Sequence, residues 1–434
     1  MVFEPQSCGE ITMRNLFLIL SLLISFKGIS SPVCKTSHHS LVSVEPWERK
    51  EVCMDPYAVI CENDNGFENY KKRSADLIEE ISNRVGKRVY EQNKMVLNRF
   101  GVDHIDNINF DDIFIFHEGR CLDDNLDECH SKQVEFDPIW YKEDIAEEVR
   151  NEFIKELNAE TDKRLDQLHY VFESVKSDLI GIIGKELKGK VSDEIIKEAQ
   201  YKLQLSKAVF SGSSKSIGRT FPFLKASERR AIKDSFEHAC YTGMESEHSA
   251  FYSQFKFKKL LYDITFYCPA DYLGGMNHGD TVRSAFNSMA LIISHELGHQ
   301  ISLLLKKHNV FKKFNQCMAK YFEPSKIKSS PEHYDDEAQA DFWAKRYVGK
   351  ALREMKDEPM EEKIRFIKES SVILCTSPDD KVHHSGRMRI NRMLRMTRDF
   401  ITAFSCSQDA WDMGVKVPVD CGIDGDQWVM IPEL

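Results

Sequence analysis

Between Phe286 and Leu305 the apolar residues Phe286, Met289, Ile292, Ile293, Ile301, Leu304 and Leu305 recur at helical spacing. They flank one polar block, His295-Glu296-Leu297-Gly298-His299. A helix this apolar is expected to be buried, and polar groups buried with it must find partners. Residues four apart lie one turn above each other on the same helix face, so His295 and His299 can offer two imidazole nitrogens to one ion. Glu296 stands beside them, placed to act on a water held by that ion. The plain alternative is a pair of core histidines bonded to backbone carbonyls, which leaves the adjacent carboxylate without a reason to be there. Gly298 costs roughly 1 kcal/mol inside a helix. Its presence predicts that another backbone or a ligand comes close at that point.

A hydrolytic zinc site usually takes three protein ligands and one water. The metzincin arrangement places a glycine and a third histidine three and six residues after the second histidine. Those positions hold Ser302 and Leu305, which excludes it. A later acidic segment, residues 330–344, supplies another source. Ser330 suits an N-cap, Pro331 the first helical position, and the early acids the positive helix terminus. Tyr334, Glu337, Ala338 and Asp341 then share a face. Glu332, Asp335 and Asp336 read as a solvated helix start. Phe342 and Trp343 indicate that the turn carrying Glu337 and Asp341 is buried. His333 and Asp336 stay open as substitutes for the third ligand.

The pair formed by His295-Glu296-x-x-His299 and Glu337-Ala338-Gln339-Ala340-Asp341 resembles the two signature segments of the gluzincin metallopeptidases. The resemblance implies Glu337 as the third zinc ligand. It implies that Asp341 hydrogen-bonds the non-ligating nitrogen of a zinc histidine. Further on, Asp380-Lys381-Val382-His383-His384-Ser385-Gly386-Arg387-Met388-Arg389-Ile390-Asn391 is similar to a late segment of neprilysin-like peptidases, in which a histidine precedes an arginine by six residues. A second gluzincin group has His-Pro at a similar distance. Both align His383 and Arg389 with groups that stabilise the oxyanion or position substrate. The chain departs at His384, so either histidine can take the role. The alternative is a basic surface helix start, since Arg387, Arg389, Arg392, Arg395 and Arg398 form a cationic run. The resemblance also implies an edge strand before the active helix that pairs with extended substrate. Leu260-Leu261-Tyr262-Asp263-Ile264-Thr265-Phe266-Tyr267-Cys268-Pro269 is the β-rich candidate, with a buried structural strand as the other reading. Taken together, the resemblance implies one Zn²⁺ per chain, catalysis by Glu296 with His383 and Arg389, and a metalloendopeptidase acting on peptide or protein substrates. The rival expectation is a zinc-fold binding or chaperone-like protein without useful hydrolysis. All catalytic positions are filled, which counts against it.

Compartment follows from other residues. Arg14 precedes an eleven-residue apolar run, Leu16 to Phe26, too short to span a bilayer but suited to a signal-peptide core. Met13 is a candidate start, and cleavage is expected near Ser30. No later stretch is apolar enough to cross a membrane. Of twelve cysteines, Cys8 precedes that site, leaving eleven after it, an odd number with at least one unpaired in the chain. Export permits disulfides. Cys121 and Cys129 read as a disulfide, with a metal pair including His130 as the alternative. Cys53 and Cys61 resemble the N-terminal cysteine segment of neprilysin-like enzymes. The net charge of −10 is spread along the chain without an aromatic-laced basic patch, so nucleic acid is not an expected partner.

The expected fold is mainly α with a small β-sheet (α+β). It is divided into a signal peptide at 1–30, a helical N-terminal domain at 31–225 and a catalytic domain at 226–434. Helices are expected over 68–100, 138–175, 176–207 and 226–240, the second of them half-exposed. Ser211 to Ser214 and Gly218 mark a loop and domain boundary.

Overall fold

The computed structural model describes residues 48–62, 65–100, 143–242, 250–257, 260–273, 282–321, 331–376, 385–395, 397–406 and 419–428. These residues are mostly helical. The expected leader at 1–30, Cys34, Cys121, Cys129, His130, His383 and His384 lie outside them. Helix α1 is Glu48–Met54, α2 Asn65–Leu97, α3 Glu143–Leu187 and α4 Asp193–Leu205. Strand β1, Lys207–Val209, precedes α5, Ser214–Thr220, and α6, Ala226–Glu237. Strands β2, Ala250–Phe257, and β3, Leu260–Tyr267, lead into the short α7, Pro269–Leu273. Then come α8, Val282–Lys306, α9, Lys312–Tyr321, α10, Pro331–Glu354, and α11, Met360–Ser371. The last elements are α12, Gly386–Arg395, α13, Arg398–Phe404, and the hairpin partners β4, Val419–Gly422, and β5, Gly425–Trp428.

The expected break between helices at 175 and 176 does not exist. Residues 143–187 form one helix of 45 residues, and at 1.5 Å per residue its length is roughly 68 Å. Its apolar stripe continues through Phe172, Val175, Leu179 and Ile183 with no glycine, proline or cap at the supposed junction. It is half-exposed as expected, with exposed residues every three or four positions, while α2, α4, α8 and α10 pack along its buried stripe. The end of the predicted 176–207 helix becomes β1 instead. Ser211 to Ser214 do not form an open linker. Ser213 caps α5 by accepting from Ser216 N at 3.0 Å, and donates to Asp162 of α3 at 2.8 Å. Gly212 N donates to Asn158 of α3 at 3.0 Å, and Gly218 lies inside α5.

The main sheet has the order β1-β3-β2, with β1 parallel and β2 antiparallel to β3. The segment expected to be an edge strand is therefore the centre of the sheet. Residues Tyr262 through Tyr267 are buried on both faces, which erases the alternation of a half-exposed strand. Buried Asp263 is satisfied by Lys202 of α4 at 3.1 Å.

One apolar cluster joins α2, α3 and α4 to the sheet, α8 and α10, so it draws side chains from both sides of residue 225. A second gathers Val52, Val59 and Ile60 against Leu291, Val348, Ile364, Ile390 and Phe400. Segment 48–62 thus packs on the late helices. Two disulfides, Cys53–Cys406 and Cys61–Cys375, fasten it there. Asn391 adds hydrogen bonds to Tyr57 N at 3.0 Å and Asp55 at 3.1 Å, and Arg387 stacks over the Tyr57 ring. Cys240–Cys268 and Cys317–Cys421 complete four disulfides among the described residues, a pattern compatible with an oxidising compartment. No described helix is long and apolar enough to cross a membrane.

Candidate metal centre

Helix α8 is enclosed by α3, α4, α10 and α11, which explains its all-round apolar character. Its closest partner is α10. A Cβ on Gly298 would lie 3.0 Å from Ala340 O, 3.1 Å from Ala340 Cα and 3.2 Å from Trp343 Cβ. Only glycine lets the two backbones meet at this depth, as the sequence led us to expect.

That approach brings α8's histidines against α10's acids. His295 Nε2 and His299 Nε2 are 3.0 Å apart. Glu337 Oε2 lies 3.3 Å from the first and Glu337 Oε1 3.3 Å from the second. Among the described residues this is the group of histidines and acids whose atoms converge closely enough to share an ion. Ligands of a tetrahedral ion at 2.0–2.1 Å are separated by about 3.3 Å, and each imidazole nitrogen lies at about that distance from one Glu337 oxygen, so the carboxylate faces both histidines. Two imidazoles and a carboxylate are also the donor set that zinc accepts. The donors and their spacing fit such an ion. Of the alternative third ligands, Asp336 pairs with Lys306 at 3.1 Å, and nothing is described of the His333 side chain.

Behind the triad is a buried support. Asp341 Oδ1 lies 3.0 Å from His295 Nδ1. Arg389 reaches the same carboxylate through Nη2 at 2.9 Å and Nε at 3.3 Å, and its Nη2 is 3.4 Å from His295 Nδ1. An ionised carboxylate can only accept, so the network assigns the Nδ1 proton to a bond toward Asp341 and turns Nε2 toward Glu337 and His299. Arg389 is buried, and its guanidinium braces Asp341 beside His295. The cationic run is accordingly not a uniform surface. Arg387 is exposed and paired with Asp55 and Glu62, while two residues on Arg389 points inward.

Charge and burial set the protonation. Burial pulls His295 down, but hydrogen bonds to Asp341 and Glu337, with the Glu337 charge, outweigh it and raise the imidazole to about 9. Burial pushes Glu337 up, yet the two histidines together hold it well below the usual carboxylate range. For Glu296 burial prevails over the nearby histidines, and its carboxyl titrates above its ordinary value. A cluster that stabilises a proton between Nε2 and carboxylate oxygens is equally disposed to stabilise a metal cation in its place.

A polar chain connects this site to the sheet. Gln300, fully buried on α8, donates from Nε2 to Thr265 Oγ1 of β3 at 3.0 Å and accepts from the Ser206 hydroxyl. The sequence reading assigned Gln300 no role. Its signal was an amide one residue past the second histidine, in a stretch otherwise apolar. No family model, curated protein or solved structure matches the chain.

Proposed function

We propose that the chain is an exported, zinc-dependent metalloendopeptidase of the gluzincin type. His295, His299 and Glu337 are its ligands, and peptides or proteins are its substrates. The observation that carries the reading is the convergence of two imidazole nitrogens and a carboxylate at 3.0–3.3 Å, with a second carboxylate, Glu296, next in sequence to the first ligand. Zinc, when bound, supplies Lewis acidity that brings the deprotonation of water toward neutral pH.

The side chains do the rest. Asp341, braced by Arg389, keeps the His295 proton on Nδ1. Glu296, its carboxyl pushed up by burial, is the base. It takes a proton from the attacking water as oxygen bonds to the peptide carbonyl carbon. It returns that proton to the amine as the carbon–nitrogen bond breaks. His383, or its neighbour His384, donates to the developing oxyanion in this scheme. The four disulfides favour an oxidising destination, and residues 1–30 serve as the leader. Residues 226–434 carry the chemistry, and 31–225 form the helical surround.

Elemental analysis of the purified full chain should find one zinc, lost in His299→Ala and in Glu337→Ala. Glu296→Gln should retain zinc and lower turnover about 10²–10⁴-fold, the usual contribution of a general base. Wild-type hydrolysis by Glu296→Gln would remove the mechanism. Stoichiometric zinc with no cleavage across a broad peptide library would favour the binding-protein reading instead.

A further inference from the structure

Tyr267 is fully buried at the end of β3, and its hydroxyl has no hydrogen-bond partner among the described residues. A buried phenol left in this way is uncommon, because the loss of water is uncompensated. The ring is not free to turn away. It stacks on Phe210 at 5.1 Å, and the next residue, Cys268, is tied to Cys240.

What it faces follows from register. Gln300 and Thr265 are bonded, which fixes one point of contact between α8 and β3. One turn back along α8 from Gln300, on the same stripe, is Glu296. Two residues along β3 from Thr265, on the same face, is Tyr267. The helical step is about 6.0 Å and the strand step about 6.6 Å, so the two positions stay in step. Glu296's charge does act on the phenol. Burial is the main reason that Tyr267 holds its proton firmly, and Glu296 adds to it, while the Thr265 hydroxyl works weakly against both. The phenol therefore remains a donor, and Glu296 is the carboxylate whose charge acts on it.

We infer that Tyr267 is a positioning residue for Glu296, its hydroxyl bonding the carboxylate across one water and setting which oxygen lone pair faces the ion-binding triad. The inference rests on the peptidase reading for its effect on turnover but not for the contact itself. A double-mutant cycle in the full chain separates the two. Tyr267→Phe, Glu296→Met and the double variant are compared by urea denaturation. Kinetics of wild type and Tyr267→Phe are measured on internally quenched peptides.

Tyr267→Phe should lower the urea midpoint in the wild-type background and leave it nearly unchanged beside Glu296→Met. It should lower kcat about tenfold with KM unchanged, the size expected for one hydrogen bond to a charged group. Equal losses in both backgrounds, including poor folding in both, would overturn the inference even if peptides are cleaved. Coupled midpoints in a chain that cleaves no peptide would uphold the Tyr267–Glu296 contact and sink the peptidase reading alone.

Discussion

The α2–α3 helix pair and the α8–α10 pair are both joined by acids and bases, and they use them in opposite ways. Between α2 and α3, Arg84 meets Glu156 at 3.4 Å and Glu160 at 3.5 Å, and Arg88 meets Glu156 at 2.6 Å and also Glu152. Both arginines are over a third exposed. Between α8 and α10, His295 and Asp341 are 10% and 2% exposed, and Arg389 of α12, 8% exposed, pairs with the same carboxylate. Water screens the first set, which contributes little per pair. The second is withdrawn from water, and such groups persist only when every member is satisfied. The first arrangement is an adhesive edge on a packed seam. The second is costly to assemble and accounts for itself only by what it holds.

A half-buried and a buried histidine show the same contrast. His169 of α3 lies edge-on to Phe210, and burial above all drives it down to about 4. His295 is more deeply enclosed yet rises to about 9, because Asp341 and Glu337 more than offset its burial. Depth alone makes an imidazole neutral, and anionic partners turn the same depth into a cation site.

The sharpest way to break this contrast is Asp341→Ala. It withdraws the carboxylate from buried Arg389 and from His295, and should destabilise the chain by about 3–5 kcal/mol, read by urea denaturation. A loss under about 1 kcal/mol would mean that the buried set behaves like the exposed one.

Gly298→Ala comes next. Alanine favours helix, so an uncrowded site would be stabilised by about 1 kcal/mol. Here the new methyl presses on the Ala340 backbone, and a loss of about 1–3 kcal/mol is expected, with weakened metal retention. A stabilised variant would show that the helices are not in close contact.

The pH dependence of the metal-free chain sharpens the histidine contrast. Folded His295 binds its proton more tightly than an unfolded one, so its contribution is complete below about pH 6.5 and is lost as pH rises toward 9. Folded His169 binds more weakly, so its contribution is complete above about pH 6.5 and is lost as pH falls toward 4. Denaturation midpoints across pH should show both slopes. His169→Phe should flatten only the acid side, and saturating zinc only the alkaline side.

The smallest effect belongs to the exposed ladder. Arg84→Ala should cost about 0.2–1 kcal/mol, diminish further in high salt, and leave metal content unchanged.

The convergence of His295, His299 and Glu337, with Asp341 behind His295, was legible in the sequence because its geometry is local. Each set lies within one or two helical turns, and Gly298 announced the contact that joins them. What escaped depends on distant partners. Arg389 meets Asp341 across 48 residues, and spacing alone cannot say which way a guanidinium turns. Leu260–Tyr267 has the composition of any strand, and its central place is decided by β1 and β2 on either side. The two helices expected on either side of residue 175 were divided on composition, although the apolar stripe runs on unbroken. His383 and His384 fall outside the described residues, so the oxyanion assignment rests on spacing to Arg389 alone.

The pairing of Cys53 with Cys406 and Cys61 with Cys375 bears on survival as well as on shape. Both bonds straddle everything from residue 62 to 374, including the long helix and both ligand helices. A single backbone scission anywhere in that span yields two polypeptides that still migrate as one species until they are reduced. Reassociation of the pieces stays intramolecular and independent of dilution. Among proteases, such a molecule can be clipped once and keep helices α8 and α10 in reach of each other.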